Sequence, residues 1–337
     1  MVIISTDDGR SVGLGDRAPG TLRELEVTAV VTAKLMVADR VAEISLRRAD
    51  GEEWPVWAPG AHIDLLLPDA GARQYSLCGA EADRTLLRVG VLREVDGRGG
   101  SVWIHDVLAV GDEIVVRGPR NAFQLEEHPS YVFVAGGIGI TPILTMIRHV
   151  SQSGLPWVLH YGGRTRTSMA FVDELQTLRG GRVELYPRDE TARMPLSRIL
   201  GAPSDTAGVY ACGPAPLLSA VTGFRDSWPS AAIRIERFEP ADAIDTSGDR
   251  PIEVSLAMSG IDLEVAADET ILEAVEKHGV AVLSSCRVGT CGTCETPVLQ
   301  GEPEHRDSVL DDEERASNEC IMICVSRARS RRLVLDL

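Results

Sequence analysis

Five cysteines crowd one short stretch of this chain: Cys286, Cys291, Cys294, Cys320 and Cys324. SSCRVGTCGTCE, followed by IMICVSRA, spells C-x4-C-x2-C-x29-C when Cys324 is taken as the fourth member. Thiolates are soft donors, and four of them suit either zinc or an iron–sulfur cluster. The four-residue gap after the first cysteine is the plant-type [2Fe–2S] spacing, whereas structural zinc more often has short gaps in both ligand pairs. Gly289 and Gly292 fit a loop wrapped tightly around such a cluster, because glycine accepts positive φ and lets backbone N–H groups approach the sulfurs. Cys286, Cys291, Cys294 and Cys324 are the expected metal ligands, and Cys320 is read as a non-ligand thiol. A cluster of this kind carries one electron, so the rest of the chain must supply its electrons.

Two glycine-bearing stretches and one polar strand are the next candidates. GGIGITP (Gly136 to Pro142) follows a strand and opens a helix, which places unpaired N–H groups at a positive helix end where a pyrophosphate can sit. It is not the G-x-G-x-x-G fingerprint, and by itself it serves a structural turn equally well. RQYSLCG (Arg73 to Gly79) sets an Arg, a Tyr and a Ser on one strand, a combination able to bind a planar polar ligand. GRGGS (Gly97 to Ser101) is read as an anion-binding turn or a surface hairpin.

The elements that must position these residues fall into three regions. From Leu22 to Glu127 short alternating stretches such as HIDLLLP, RTLLRVGVLRE and DEIVVRGP predict a small antiparallel barrel. From Tyr131 strands alternate with helix patterns: YVFVAGG, then a helix with Ile140, Leu144 and Ile147 on its apolar face, WVLHYGG, AFVDELQTL, VELYP, VYACGP, PLLSAVTGF and IRIERF. That alternation predicts a parallel sheet with crossovers. EPADAIDTSGDRP has no periodicity and reads as a linker. Beyond it IEVSLAM and IDLEVAA predict a hairpin through Ser259 and Gly260, and TILEAVEKHG predicts a helix capped by Thr270 and ended at Gly279.

Bulk composition narrows the function classes. The 337 residues hold 34 Lys and Arg against 50 Asp and Glu, a net charge of -16, which argues against nucleic-acid binding. From Pro251 onward 17 acidic residues face 8 basic ones, an excess suited to steering a basic partner. No apolar run is long enough to span a membrane and no secretory leader is evident, so a cytoplasmic location is expected.

In order along the chain, RxYSL, the Gly-Gly-Ser turn, GGxGxTP, YxCGP and the cysteine set resemble the phthalate dioxygenase reductase family, within the broader ferredoxin-NADP reductase-like flavoproteins. The resemblance covers roughly residues 22 to 337. It implies a multidomain chain: an antiparallel Greek-key flavin-binding β-barrel (1–127, with 1–21 an extension), an α/β parallel-sheet NAD-binding domain (128–240), a linker (241–250) and a β-grasp [2Fe–2S] ferredoxin domain (251–337). It further implies FMN lined by Arg73, Tyr75 and Ser76, with its phosphate held by Gly99, Gly100 and Ser101. Gly136, Gly137, Gly139 and Thr141 would approach the NAD pyrophosphate. Cys212 and Glu236 would lie by the nicotinamide, and Phe238 would cover the flavin. NADH is the expected donor, although Arg164 and Arg166 stand where cations for an NADPH 2′-phosphate could act. The expected partner is a terminal oxygenase of the Rieske type. The alternatives are a relay serving a haem monooxygenase or a small acceptor, and, outside enzymes, a zinc-stabilised binding protein.

Overall fold

The structure, a computed structural model, describes residues 4–5, 11–12, 25–68, 70–240 and 244–337. The expected extension at 1–21 therefore lies outside the described residues except for a strand pair, Ile4–Ser5 with Ser11–Val12. The first part of the expected linker, 241–243, lies outside them too. The chain forms two compact units, Met1–Arg237 and Phe238–Leu337.

The first unit begins with six antiparallel strands: β1 (Glu26–Ala38), β2 (Val41–Arg48), β3 (His62–Leu67), β4 (Gly71–Ser76), β5 (Leu87–Leu92) and β6 (Glu113–Arg120). Their order is β4-β3-β6-β1-β2-β5. A bridge between Leu77 and Val89 ties the end of β4 to β5 and closes the sheet on itself. Alternate residues turn inward, so Ile44, Leu46, Ile63, Leu65, Leu87 and Val89 fill the barrel. The GRGGS stretch is not merely a turn. Gly99, at φ 79°, starts a helix, α1 (Gly100–Asp106), whose residue Ile104 is buried in the barrel core. The short helix was hidden because SVWIHD is too brief to show a helical period.

Five parallel strands follow: β7 (Ser130–Gly136), β8 (Trp157–Gly163), β9 (Gly181–Pro187), β10 (Ala207–Cys212) and β11 (Ile233–Glu236), in the order β9-β8-β7-β10-β11. On one face α2 (Ile140–Gln152) and α3 (Val172–Thr177) cover Phe133, Ala135, Tyr210 and Cys212. On the other, α4 (Leu196–Leu200) and α5 (Ala215–Thr222) cover Val134, Val209 and Ala211. Each fully buried Ile or Leu in such a layer contributes on the order of 2 kcal/mol. The AFVDELQTL helix is shorter than its sequence suggests, because Ala170 and Phe171 are buried in the core and Phe171 enters α3 with a positive φ of 63°.

The second unit is a mixed sheet of β12 (Ile252–Leu256), β13 (Ile261–Val265), β14 (Glu295–Gln300), β15 (Cys320–Met322) and β16 (Arg332–Leu335), ordered β13-β12-β16-β14-β15. It grips α6 (Ile271–Lys277) in the β-grasp manner, with Ile271, Leu272 and Val275 packed on Val254, Val265 and Leu333. Thr270 and Glu273 form a capping box at the start of α6, and the β12–β13 hairpin turns at Gly260 with φ 66°.

The stretch read as a linker is anchored at its far end. Arg306 donates to both carboxylate oxygens of Asp249, at 2.9 and 2.5 Å, and Arg327 lies 3.8 Å away. The Asp249 side chain is only 6% exposed. A linker composition conceals this because its partners are some 60 residues away in sequence. Asp249→Asn is expected to destabilise the second unit by about 1–2 kcal/mol, because Arg306 keeps Glu304 as a partner at 2.9 Å. The Arg306 hydrogen bonds hold the Asp249 carboxyl below its usual value. Its contribution is therefore complete at neutral pH and is lost as pH falls through that lowered pKa. Thermal melts across the acid range check this; a variant that melts like the parent at neutral pH overturns it.

Candidate functional site

In the second unit the loop after α6 carries Cys286, Cys291 and Cys294, and Cys324 follows β15. All four are less than 8% exposed. Cys286 lies within hydrogen-bonding reach of Cys291 and Cys324, and Cys324 within reach of Cys294. The sulfurs thus form a line of adjacent pairs. Four adjacent thiols at the C-x4-C-x2-C-x29-C spacing are what a plant-type [2Fe–2S] centre requires.

Electrostatics calls for a cation among these sulfurs. Hydrogen bonds from Cys291 and Cys324 hold the Cys286 thiol far below its usual value, while those same contacts push Cys291 and Cys324 well above theirs. Thiols packed this closely cannot all ionise without a cation to share the charge. The N–H groups of Val288 and Thr290 both donate to Cys286 Sγ at 3.4 Å, as a sulfur-cradling loop should. Gly289 has φ 71°, and a Cβ there would lie 2.6 Å from Val325 Cγ2. Cys320 is half-buried; burial, then Glu295 and Glu314, push its thiol up to about 12, and no cysteine contributes to that shift.

Asp307 is a residue the sequence did not mark. Its carboxylate accepts from the N–H groups of Val309 and Leu310, and the next residue's N–H bonds Gly289 O at 2.8 Å. The 307–310 turn therefore straps the cysteine loop from beneath.

In the first unit the glycine loops meet at the switch point of the parallel sheet, between β7 and β10, where an open α/β sheet binds ligands. A Cβ on Gly139 would lie 2.4 Å from Cys212 O, and one on Gly136 would lie 2.7 Å from Pro214 Cδ. Gly137, at φ 55°, faces open space, and Tyr161 Oη donates to its carbonyl at 3.1 Å. A short 3-10 turn, Gly137–Gly139, leads into α2 with no side-chain cap at either start; Ile140 N–H bonds back to Gly137 O, and the glycine turn ahead of it is the place for an anion. Thr141 is placed differently from the expectation for a nucleotide contact: it is 1% exposed, its hydroxyl donates to Ile138 O, and its methyl packs towards Gly90.

The flavin candidates separate into two groups. Arg73 reaches the α1 turn, donating to Arg98 O at 2.7 Å, and a Cβ on Gly100 would meet its Cγ at 2.7 Å. Gly99 and Gly100 lie beside it, while the Ser101 hydroxyl is engaged with the backbone of Glu94. Tyr75 packs against the barrel core, where burial pushes its phenol up. Ser76, at the end of β4, lies beside Glu236 at the end of β11, where its hydroxyl favours the charged carboxylate. Cys212 Sγ stands 4.0 Å from Glu236 Oε2, and burial pushes the Cys212 thiol up. Ser76, Glu236 and Cys212 thus join the barrel motif to the nucleotide crevice. Phe238 opens the second unit and is 41% exposed.

Known proteins bear on this geometry. A 2Fe-2S iron-sulfur cluster binding domain matches residues 254–329, and an oxidoreductase NAD-binding domain matches residues 133–223. A putative toluene-4-sulfonate monooxygenase system reductase subunit from Comamonas testosteroni is 42% identical, over 93% of this chain and 99% of its own. The solved phthalate dioxygenase reductase, described as a modular structure for electron transfer from pyridine nucleotides to [2Fe-2S], is 35% identical over 93% of this chain and 98% of its own, with a TM-score of 0.67. The chain belongs to the phthalate dioxygenase reductase family. It is an oxidoreductase that draws on NADH through a flavin and an iron–sulfur centre. An intact type IV self-sufficient cytochrome P450 monooxygenase is also similar, 43% identical with a TM-score of 0.86. This chain covers 43% of that longer one.

Two outcomes are expected. Cys291→Ser should abolish cluster absorption while NADH-to-ferricyanide activity through the flavin persists; loss of the flavin in that variant overturns the assignment of separate sites. Burial pushes the Glu236 carboxyl up to about 8. The folded protein keeps this proton where the unfolded chain releases it, so Glu236 makes stability fall as pH rises from the ordinary carboxylate range towards that value. Glu236→Gln should flatten this slope in melts at a series of pH values; an unchanged slope assigns it elsewhere.

Proposed function

We propose that this chain is the reductase component of a multicomponent Rieske-type oxygenase, passing electrons from NADH to the terminal oxygenase. The observation that carries this reading is the line Ser76–Glu236–Cys212, which brings the strand of the flavin motif to the nucleotide crevice. When bound, FMN and the [2Fe–2S] cluster supply the conversion of a hydride's electron pair into single electrons. The protein's part is to hold and orient. Arg73, Tyr75 and Ser76 line the flavin, and Arg73 with Gly99, Gly100 and Ser101 holds its phosphate. Gly136, Gly137 and Gly139, with the start of α2, receive the NADH pyrophosphate, and Thr141 shapes that turn from within. Cys212 and Glu236 fix the nicotinamide end. Cys286, Cys291, Cys294 and Cys324 hold the cluster.

NADH rather than NADPH is favoured by the state of Arg166. Glu190, just beyond β9, lies 3.2 Å from its guanidinium, so one of the two cations able to meet a 2′-phosphate already has an anionic partner. The acidic excess after Pro251 supports an oxygenase with a basic docking face.

A second reading has its own support. The self-sufficient P450, which matches 96% of this chain with 43% of its own, favours a haem monooxygenase as the electron acceptor. One experiment addresses both. The purified protein should show flavin and iron–sulfur absorption, both bleached by NADH and poorly by NADPH under anaerobic conditions. It should then reduce a Rieske-type oxygenase faster than a haem monooxygenase. A colourless, folded, zinc-containing protein sinks the proposal, and faster reduction of the haem protein replaces it with the second reading.

A further inference from the structure

One face of α2 is polar yet buried. Thr141, Thr145 and Arg148 follow one another at intervals of four and three residues, so they share a stripe of the helix, and they are 1%, 3% and 9% exposed. Each touches the barrel. Thr141 packs over Gly90 on β5, where a Cβ would lie 2.8 Å from the Thr141 methyl. Thr145 Oγ1 accepts from Gly60 N at 3.2 Å. Arg148 Nη1 donates to Cys78 O at 2.5 Å and to Gly79 O at 2.6 Å.

Those two carbonyls belong to the RQYSLCG motif, directly beyond Ser76. The other arm of Arg148 is held by Glu174 of α3, which lies 3.3 Å from Arg88 of β5, and Arg88 in turn pairs with Glu43 of β2. Two arginines and two glutamates therefore form a charge-balanced chain through the seam between the barrel and the parallel sheet. Burial depresses Arg148 to about 10, so it stays a cation at neutral pH. Two hydrogen bonds from one rigid, planar, charged fork are a stiffer tether than apolar packing can provide.

The geometry points to Arg148 as a positioning residue for hydride transfer. It fixes the end of the flavin strand, at Cys78 and Gly79, to the same helix whose first turn receives the coenzyme pyrophosphate. Donor and acceptor are thereby held in register through one rigid element. This inference rests on the reading of the first unit as a flavin and NADH site. Its effect should fall on the limiting rate of flavin reduction and not on coenzyme affinity, because no Arg148 atom is placed at the nucleotide loop.

The test uses the full-length holoprotein with Arg148→Gln, Arg148→Lys and Glu174→Gln, followed by anaerobic stopped-flow reduction with NADH and by hydrogen–deuterium exchange over residues 76–80. Arg148→Gln should lower the limiting reduction rate about tenfold or more, with NADH Kd changed by less than about threefold, and raise exchange at residues 76–80. Arg148→Lys, which keeps the charge but loses the fork, should fall between it and the parent. Glu174→Gln keeps both carbonyl bonds and should lose less than about threefold in rate. A normal limiting rate in Arg148→Gln overturns the inference, as does an equal loss in Glu174→Gln, which would mark the network as packing alone. If Arg148→Gln fails to fold, Arg148→Lys against Glu174→Gln decides: a lysine variant no slower than the glutamine variant overturns it. Absence of NADH-driven bleaching in the parent protein would instead remove the functional reading beneath it.

Discussion

The first unit depends on two stretches of backbone approaching more closely than any side chain would allow. Gly136 and Gly139 lie against Cys212, Gly213 and Pro214, with no room for a Cβ at either glycine. That approach fixes the crevice where the strand order reverses, and it sets the direction in which α2 leaves the sheet. Because α2 also carries the barrel contacts, the same constraint orients the barrel against the sheet within this unit. Cys212, pinned by its backbone, in turn places its thiol beside Glu236.

The second unit solves a different problem with similar means. Four buried thiols must be brought together by a loop that has no regular hydrogen bonding of its own. Positive φ at Arg287, Gly289 and Gly292 bends the chain around them, and the turn anchored by Asp307 supports the bend. The surrounding β-grasp sheet and α6 are conventional, and the cysteine loop carries a non-glycine residue, Arg287, at φ 55°.

Much of this was legible in the residues. The cysteine spacing, the strand-then-glycine pattern of GGIGITP, the capped helix at Thr270 and the hairpin at Gly260 all rest on local rules, and local rules are what a sequence displays. What stayed hidden depends on distant partners. Thr145 and Arg148 carried no signal of their own, because polar residues at helical spacing usually face solvent; only the barrel on the other side makes them interior. Asp249 lies in a stretch of linker composition, and Asp307 acts through backbone N–H groups whose direction no sequence shows. Helix α1 was missed for a different reason, being too short to establish a period.

The Asp249 anchor also has a meaning for how such chains are assembled. Modules of this kind can be shuffled between proteins only at places where cutting leaves no buried charge behind. A cut placed just before β12, where the strand pattern begins, would take from Arg306 the Asp249 carboxylate that accepts two of its bonds and leave it Glu304 alone. The transferable piece must therefore carry several residues of irregular chain ahead of its first strand. An unstructured-looking segment is in this respect part of the inheritable module, and recombination that respects it leaves the cluster-bearing fold intact.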